Sequence, residues 1–99
     1  MIESISFLHA AEIEAADAID WYETKEHGLG ASFLDAIETT VEAIKNNPFA
    51  FPVVQGTAVR RALTQRFPYS IIFTNDEDAL LIIAFFHSSR NPIVWRGRH

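Results

Sequence analysis

Five side chains in the second half of this sequence are of types that could do chemistry together. They are Arg60, Arg61, Arg66, His87 and Arg90, with Tyr69 close by in the same stretch. Guanidinium forks bind phosphate in a bidentate way, so such a set can hold an RNA backbone. It could also assist in-line attack by a ribose 2′-hydroxyl, with His87 or Tyr69 handling protons and arginine stabilising the developing charge. The plainer alternative makes Arg60, Arg61 and Arg66 salt-bridge partners of acids elsewhere in the chain. On that view His87 is a hydrogen-bonded histidine at the edge of the core. The residues alone leave both readings open. They exclude more than they select. There is no G-x-S-x-G nucleophile motif and no glycine-rich phosphate loop. The four histidines (His9, His27, His87 and His99) lie too far apart for ligand spacing, and cysteine is absent. No metal and no cofactor are therefore expected.

The elements that must position these residues are read from hydrophobic pattern. Val59 to Arg90 reads as two or three strands around which the rest is organised. Ala79 to Phe86 has no polar side chain, the mark of a central strand covered on both faces. Asn75-Asp76-Glu77-Asp78 is a polar break of hairpin length between Tyr69–Thr74 and that strand. Before it, Arg60, Ala62, Thr64 and Arg66 alternate with Val59, Arg61, Leu63 and Gln65. Pro68 marks a strand end or an edge.

Upstream, Ile2 to Phe7 alternates as a short first strand. Ala10 to Glu26 is predicted to be a helix with a stripe of Ala11, Ala15, Ala18, Ile19 and Tyr22, and with Glu14, Asp17 and Thr24 opposite. Gly28-Leu29-Gly30 ends it in so short a connection that the next helix, about Ala31 to Asn46, must fold back antiparallel. Phe33, Ile37, Val41 and Ile44 form its apolar stripe, and Asn46-Asn47-Pro48 stops it. Phe49 and Phe51 are expected to pin the following connection to the core, and Gln55-Gly56-Thr57 to turn into the sheet. Ser88 to His99 reads as irregular or a brief strand that Trp95 could anchor. The fold class is α+β: an N-terminal strand and an antiparallel α-helical hairpin packed on an antiparallel β-sheet, in one domain over residues 1–99.

The composition, 48% hydrophobic and 21% charged, is that of a folded domain rather than a disordered one. The longest apolar run falls well short of a bilayer span, and Met1-Ile2-Glu3 leads straight into the first strand, so a cytoplasmic protein is expected. The net charge of −5 conceals an asymmetry: ten acids against Lys25 and Lys45 up to residue 55, then six arginines against three acids. Two surfaces of opposite character suggest different partners. Trp21 lies off the main stripe of its helix and either fills a groove or faces a partner. Asn91-Pro92-Ile93-Val94-Trp95-Arg96 is either an interaction arm or a cover for the sheet.

Several strings, taken in order, resemble the ParE/RelE superfamily, the toxins of bacterial type II toxin–antitoxin (plasmid stabilisation) modules. They are Ala10-Ala11-Glu12-Ile13, Trp21-Tyr22-Glu23, Gly28-Leu29-Gly30 with Phe33, and Asn47-Pro48 before Phe51-Pro52. Then come Val59-Arg60-Arg61, Arg66-Phe67-Pro68-Tyr69-Ser70-Ile71, and His87-Ser88-Ser89-Arg90 with Pro92, Trp95 and Arg98. The resemblance covers nearly the whole chain and implies a cognate antitoxin (ParD-like or similar) that wraps the toxin in a hetero-oligomer. It divides into two branches. ParE-like members inhibit DNA gyrase and are not known as nucleases; RelE-like members cut mRNA on the ribosome. For a RelE-like enzyme the resemblance implies Arg61, Arg66, His87 and Arg90 as the catalytic set. For a ParE-like inhibitor it implies target or partner contacts at Arg60, Trp21, Tyr69, Trp95, Arg96 and Arg98, with the arm from Arg90 to Arg98 facing gyrase. Ribosome binding must neutralise rRNA phosphate, which a chain of net charge −5 with two lysines is poorly equipped to do. The ParE branch is therefore favoured. A degenerate toxin fold that retains only antitoxin binding is the third reading.

Overall fold

A computed structural model describes residues 2–56 and 58–98. Met1, Thr57 of the expected turn and His99 lie outside the described residues. The order is β1 (Ser4–Phe7), α1 (His9–Lys25), α2 (Leu29–Asn46), a 3₁₀ turn (Pro48–Ala50), β2 (Val53–Gln55), β3 (Val59–Leu63), β4 (Tyr69–Asp76), β5 (Ala79–His87) and α3 (Ile93–Arg96). The five strands form one sheet in the order β1-β5-β4-β3-β2. The expected α+β class and helical hairpin are present. The sheet is mixed rather than antiparallel throughout, because β1 pairs parallel with β5.

Three residues join α1 to α2, and they work because two glycines occupy demanding positions. Gly28 sits at φ 89°, a left-handed conformation that costs an L side chain strain. Gly30 lets the helices touch: a Cβ there would stand 2.8 Å from the Ile19 carbonyl oxygen. The Glu23 carboxylate accepts hydrogen bonds from the Gly28 amide at 3.1 Å and the Gly30 amide at 3.0 Å. This side chain satisfies amides that the start of α2 leaves without helical partners.

The hairpin packs on one face of the sheet through Ala11, Ala18, Tyr22, Phe33, Ile37 and Ile44, which meet Ile71, Phe73, Ile82 and Phe85. The other face carries a second cluster of Val59, Ile72, Ile83, Ala84, Phe86 and Trp95. Both faces of β5 are thus covered, as its unbroken apolar run requires. A bulge arranges this. Ile72 pairs with Ala84 and Phe73 with Ile82, leaving Ile83 as an extra residue. The insertion flips the alternation, so Leu80, Ile82 and Phe85 all face the helices.

Several local expectations are corrected. The polar break is shorter: β4 runs through Asp76, and the tight connection is Glu77-Asp78, with Glu77 at φ 50°. β2 is a strand, where the sequence suggested only a connection and a turn. Phe49 is 70% exposed and does not pin the core; Phe51 does, edge-on to Phe73 at 6.0 Å. The tail is neither irregular throughout nor a strand. After a turn at Ser88–Arg90, residues Ile93–Arg96 form a short helix whose Trp95 is 4% exposed against Phe86.

Candidate functional site

The end of the sheet where β4 begins and β5 finishes faces α1 across a shallow cleft of about 340 Å³. Tyr69 and His87 are its floor. They form the terminal pair of β4 and β5, and their rings meet edge to face at 5.1 Å. Tyr69 is buttressed by Phe33 at 5.1 Å and Tyr22 at 6.1 Å. Arg90 joins them because the chain turns back after β5, with the Arg90 amide donating to the His87 carbonyl at 3.0 Å. From α1 come Trp21, 55% exposed, and the carboxylates of Glu14 and Asp17. The cleft therefore has an acidic and aromatic helical wall and a cationic rim on the sheet side.

Both tyrosines are held protonated. Burial pushes the Tyr69 phenol above its ordinary value of 10.0; Arg90 works against this and Glu14 with it. Tyr22 is raised too, by burial first and by Tyr69 second. At neutral pH each is a hydrogen-bond donor, not a base. His87 is held by its near neighbour. Its Nδ1 accepts from the Ser89 amide at 3.0 Å and lies 2.7 Å from Ser89 Oγ.

Of the residues singled out from the sequence, Trp21, Tyr69, His87 and Arg90 come together here. The others are placed elsewhere. Arg61 is exposed on β3 opposite Ile72, on the sheet face away from the helices. Arg66 occupies the bend after β3 with φ 71°, its guanidinium 5.6 Å from the Phe67 ring. Arg60 is a clamp on the connection below α2, donating to the Phe51 carbonyl at 2.6 Å and stacking on Phe49 at 5.2 Å. Trp95 is buried, 4% exposed, and serves as the anchor of the tail. Arg96 lies near Trp95, and its carbonyl accepts from Gln55 Nε2 at 3.2 Å. Arg98 is engaged within the fold, with two 2.8 Å hydrogen bonds to Glu14 that raise its pKa. Among the described residues, only Arg98 of the arginines forms an ion pair with an acid.

Sequence reasoning missed Glu14, Asp17 and Tyr22 as lining residues. Glu14 was assigned to the solvent side of α1, and the only available signal is its three-residue spacing to Asp17, which stacks both above Trp21 on one face.

A second surface is apolar. A groove of about 570 Å³ runs between α1, α2 and β1, walled by Phe7, Ile19, Leu34 and Val41 and rimmed by Glu12, Glu38 and Glu42, with Lys45 paired to Glu42 at 3.6 Å. Among the described residues, no group of three or more metal-ligating side chains is assembled, and no helix is long and apolar enough to cross a membrane.

The helical hairpin laid on a small mixed sheet is a fold that solved toxin structures share. A chain of the chromosomal ParDE TA system from P. aeruginosa superimposes with a TM-score of 0.70 at 16% identity, covering 87% of this chain and 96% of its own. The isolated E. coli RelE toxin superimposes with a TM-score of 0.64 at 13% identity, covering 91% and 88%. At such identities these likenesses establish the fold. No curated protein matches the chain. The sequence pattern of the ParE toxin of type II toxin-antitoxin system, parDE, matches residues 5–92, and the chain belongs to that family. It is a ParE-type toxin of a type II toxin–antitoxin system.

Proposed function

We propose that this chain acts in the cytoplasm by binding and inhibiting DNA gyrase, and that a cognate ParD-like antitoxin neutralises it in a hetero-oligomer. Family membership over residues 5–92 is the observation that carries the reading. Charge supports it, since a net −5 works against the phosphate neutralisation that ribosome binding requires. The cleft supports it as well. Arg61 and Arg66 line no part of it, and Nδ1 of His87 is engaged by Ser89. An RNA-cleaving site would need those groups gathered around one phosphate.

For the antitoxin, the groove between α1, α2 and β1 supports docking of an amphipathic segment. Its apolar walls suit the buried face of a helix, and its acidic rim suits basic flanking residues. For the target, the cleft offers Trp21 and Tyr69 as aromatic anchors and Arg90 as a guanidinium, the residue types that dominate protein–protein contacts.

The test uses purified chain against gyrase and against translating ribosomes in parallel. Inhibited supercoiling with intact mRNA on the ribosomes is the expected outcome. Codon-positioned mRNA cleavage with unaffected supercoiling would move the chain to the nuclease branch. Inactivity in both, with an antitoxin still bound, would leave only the binding fold.

A further inference from the structure

β1 pairs with β5 only as far as Phe7 and Ile82. The chain then leaves the sheet at Leu8, whose amide donates to the Ile82 carbonyl at 3.0 Å. β5 continues to His87, so among the described residues its last part has no strand on that side. A bare strand edge presents rows of unpaired amides and carbonyls, and proteins cover such edges. Here two side chains do so. The Phe85 amide donates to Glu14 Oε1 at 3.2 Å, and Arg98 Nη1 donates to the Ile83 carbonyl at 3.3 Å. The two covering groups are locked together by a pair of 2.8 Å hydrogen bonds and are mostly shielded from solvent. One comes from α1 and the other from the end of the chain.

We propose that Glu14 and Arg98 form a clasp that keeps the free edge of β5 closed, and that with the clasp open residues 83–87 pair with the same strand of a second copy. The sequence of that edge is Ile-Ala-Phe-Phe-His, apolar, without acid or proline, the composition that favours intermolecular strand pairing. Its geometry suits a second copy in particular. In an antiparallel pairing about a two-fold axis through Phe85, each Phe85 amide meets the other's Phe85 carbonyl, so one edge satisfies itself. Phe7, 41% exposed and stacked on Phe85 at 6.3 Å, borders the same lane and would be covered by the partner strand.

The route of the tail explains why the clasp opens as a unit. Trp95 seats on the sheet face away from the helices, and Arg98 then reaches round the β5 edge to Glu14 on the helix side. The tail is thus a strap from one face to the other, and Arg98 is its buckle. Among the described residues the buried Trp95 indole N–H has no acceptor, which leaves the strap short of one hydrogen bond at its other attachment.

The test compares the wild-type chain with Arg98→Ala, Arg98→Lys and the double variant Glu14→Ala/Arg98→Ala. Molar mass is followed by light scattering across concentration, and amide exchange is read at Phe85. Wild type is expected to stay monomeric with a protected Phe85 amide. The dilute double variant should exchange that amide about tenfold faster, the scale of one lost hydrogen bond. On concentration it should dimerise and regain protection at Phe85. Arg98→Lys retains the charge without the fork and should fall between; it also supplies the comparison if the double variant is poorly folded. A monomer at all concentrations would overturn the proposal. Dimerisation that leaves Phe85 unprotected would also overturn it, because the contact would lie elsewhere. Undiminished Phe85 protection in a dilute, monomeric double variant would show that the pair is not a clasp.

Discussion

The Tyr69 phenol and the His87 imidazole meet edge to face at 5.1 Å on the last rung between β4 and β5, with Arg90 turned back beside them. The contact ties His87 to an aromatic stack that continues through Tyr22 and Phe33 into the hairpin. A side chain so placed shapes a surface. The consequence is a cleft with an aromatic wall and an exposed guanidinium, that of Arg90, at its rim.

Arg90 is exposed, so Arg90→Ala should change stability by no more than about 0.5 kcal/mol. It should nevertheless weaken toxicity, because a central guanidinium often contributes disproportionately to a protein contact. Growth arrest at matched expression, set beside the Tm of the purified variant, checks this. Unchanged toxicity would remove Arg90 from the contact.

Glu23 gives the hairpin a pH dependence. Backbone hydrogen bonds from Gly28 and Gly30 hold its carboxyl below the ordinary value of 4.5, with His27 adding to the effect. A depressed folded pKa contributes stability above the unfolded value, and that contribution is lost as pH falls through the folded one. Glu23→Gln should therefore lower Tm at neutral pH. The gap to wild type should narrow once pH drops below the ordinary carboxylate range, which thermal unfolding across pH would reveal.

Gly30→Ala sets two effects against each other. Alanine gains about 1 kcal/mol of helix propensity over glycine. The new Cβ would lie 2.8 Å from the Ile19 carbonyl oxygen and 3.0 Å from Glu23 Oε1. Backbone at that distance cannot yield without separating the helices, so the clash wins and the variant should be less stable. A urea midpoint equal to or above that of wild type would refute the close packing.

Trp95 and Trp21 should behave as opposites in solution. Acrylamide should quench Trp21 readily and Trp95 poorly, given exposures of 55% and 4%. Trp95→Phe loses ring area but also removes an indole N–H without an acceptor, so its cost should stay below about 1.5 kcal/mol. Trp95→Ala should cost about 3–5 kcal/mol, since nothing else fills the site beside Phe86. Chemical denaturation of both variants measures the difference.

What the sequence displayed was whatever repeats locally. The helical period of Phe33, Ile37, Val41 and Ile44 exposed α2, and the unbroken apolar run exposed β5. The parallel pairing of β1 was illegible, because Ser4 meets Ala79 at the far end of the chain and no local pattern encodes it. The bulge at Ile83 was hidden for a related reason: a strand apolar on both faces has no alternation to interrupt. α3 spans four residues, too few to show a period. At the site, Tyr69, His87 and Arg90 were visible as chemistry-bearing types near one another. Glu14 was not, because a glutamate on a helix ordinarily faces water, and its partner Arg98 stands 84 residues away.

The most direct test of the central claim is induction of this chain alone in a bacterial host, with DNA and protein synthesis followed by pulse labelling. A gyrase inhibitor should shut down DNA synthesis first while translation continues, and co-expression of the antitoxin should restore both growth and replication. Immediate loss of translation, with transcripts cut on the ribosome and replication initially intact, would contradict it.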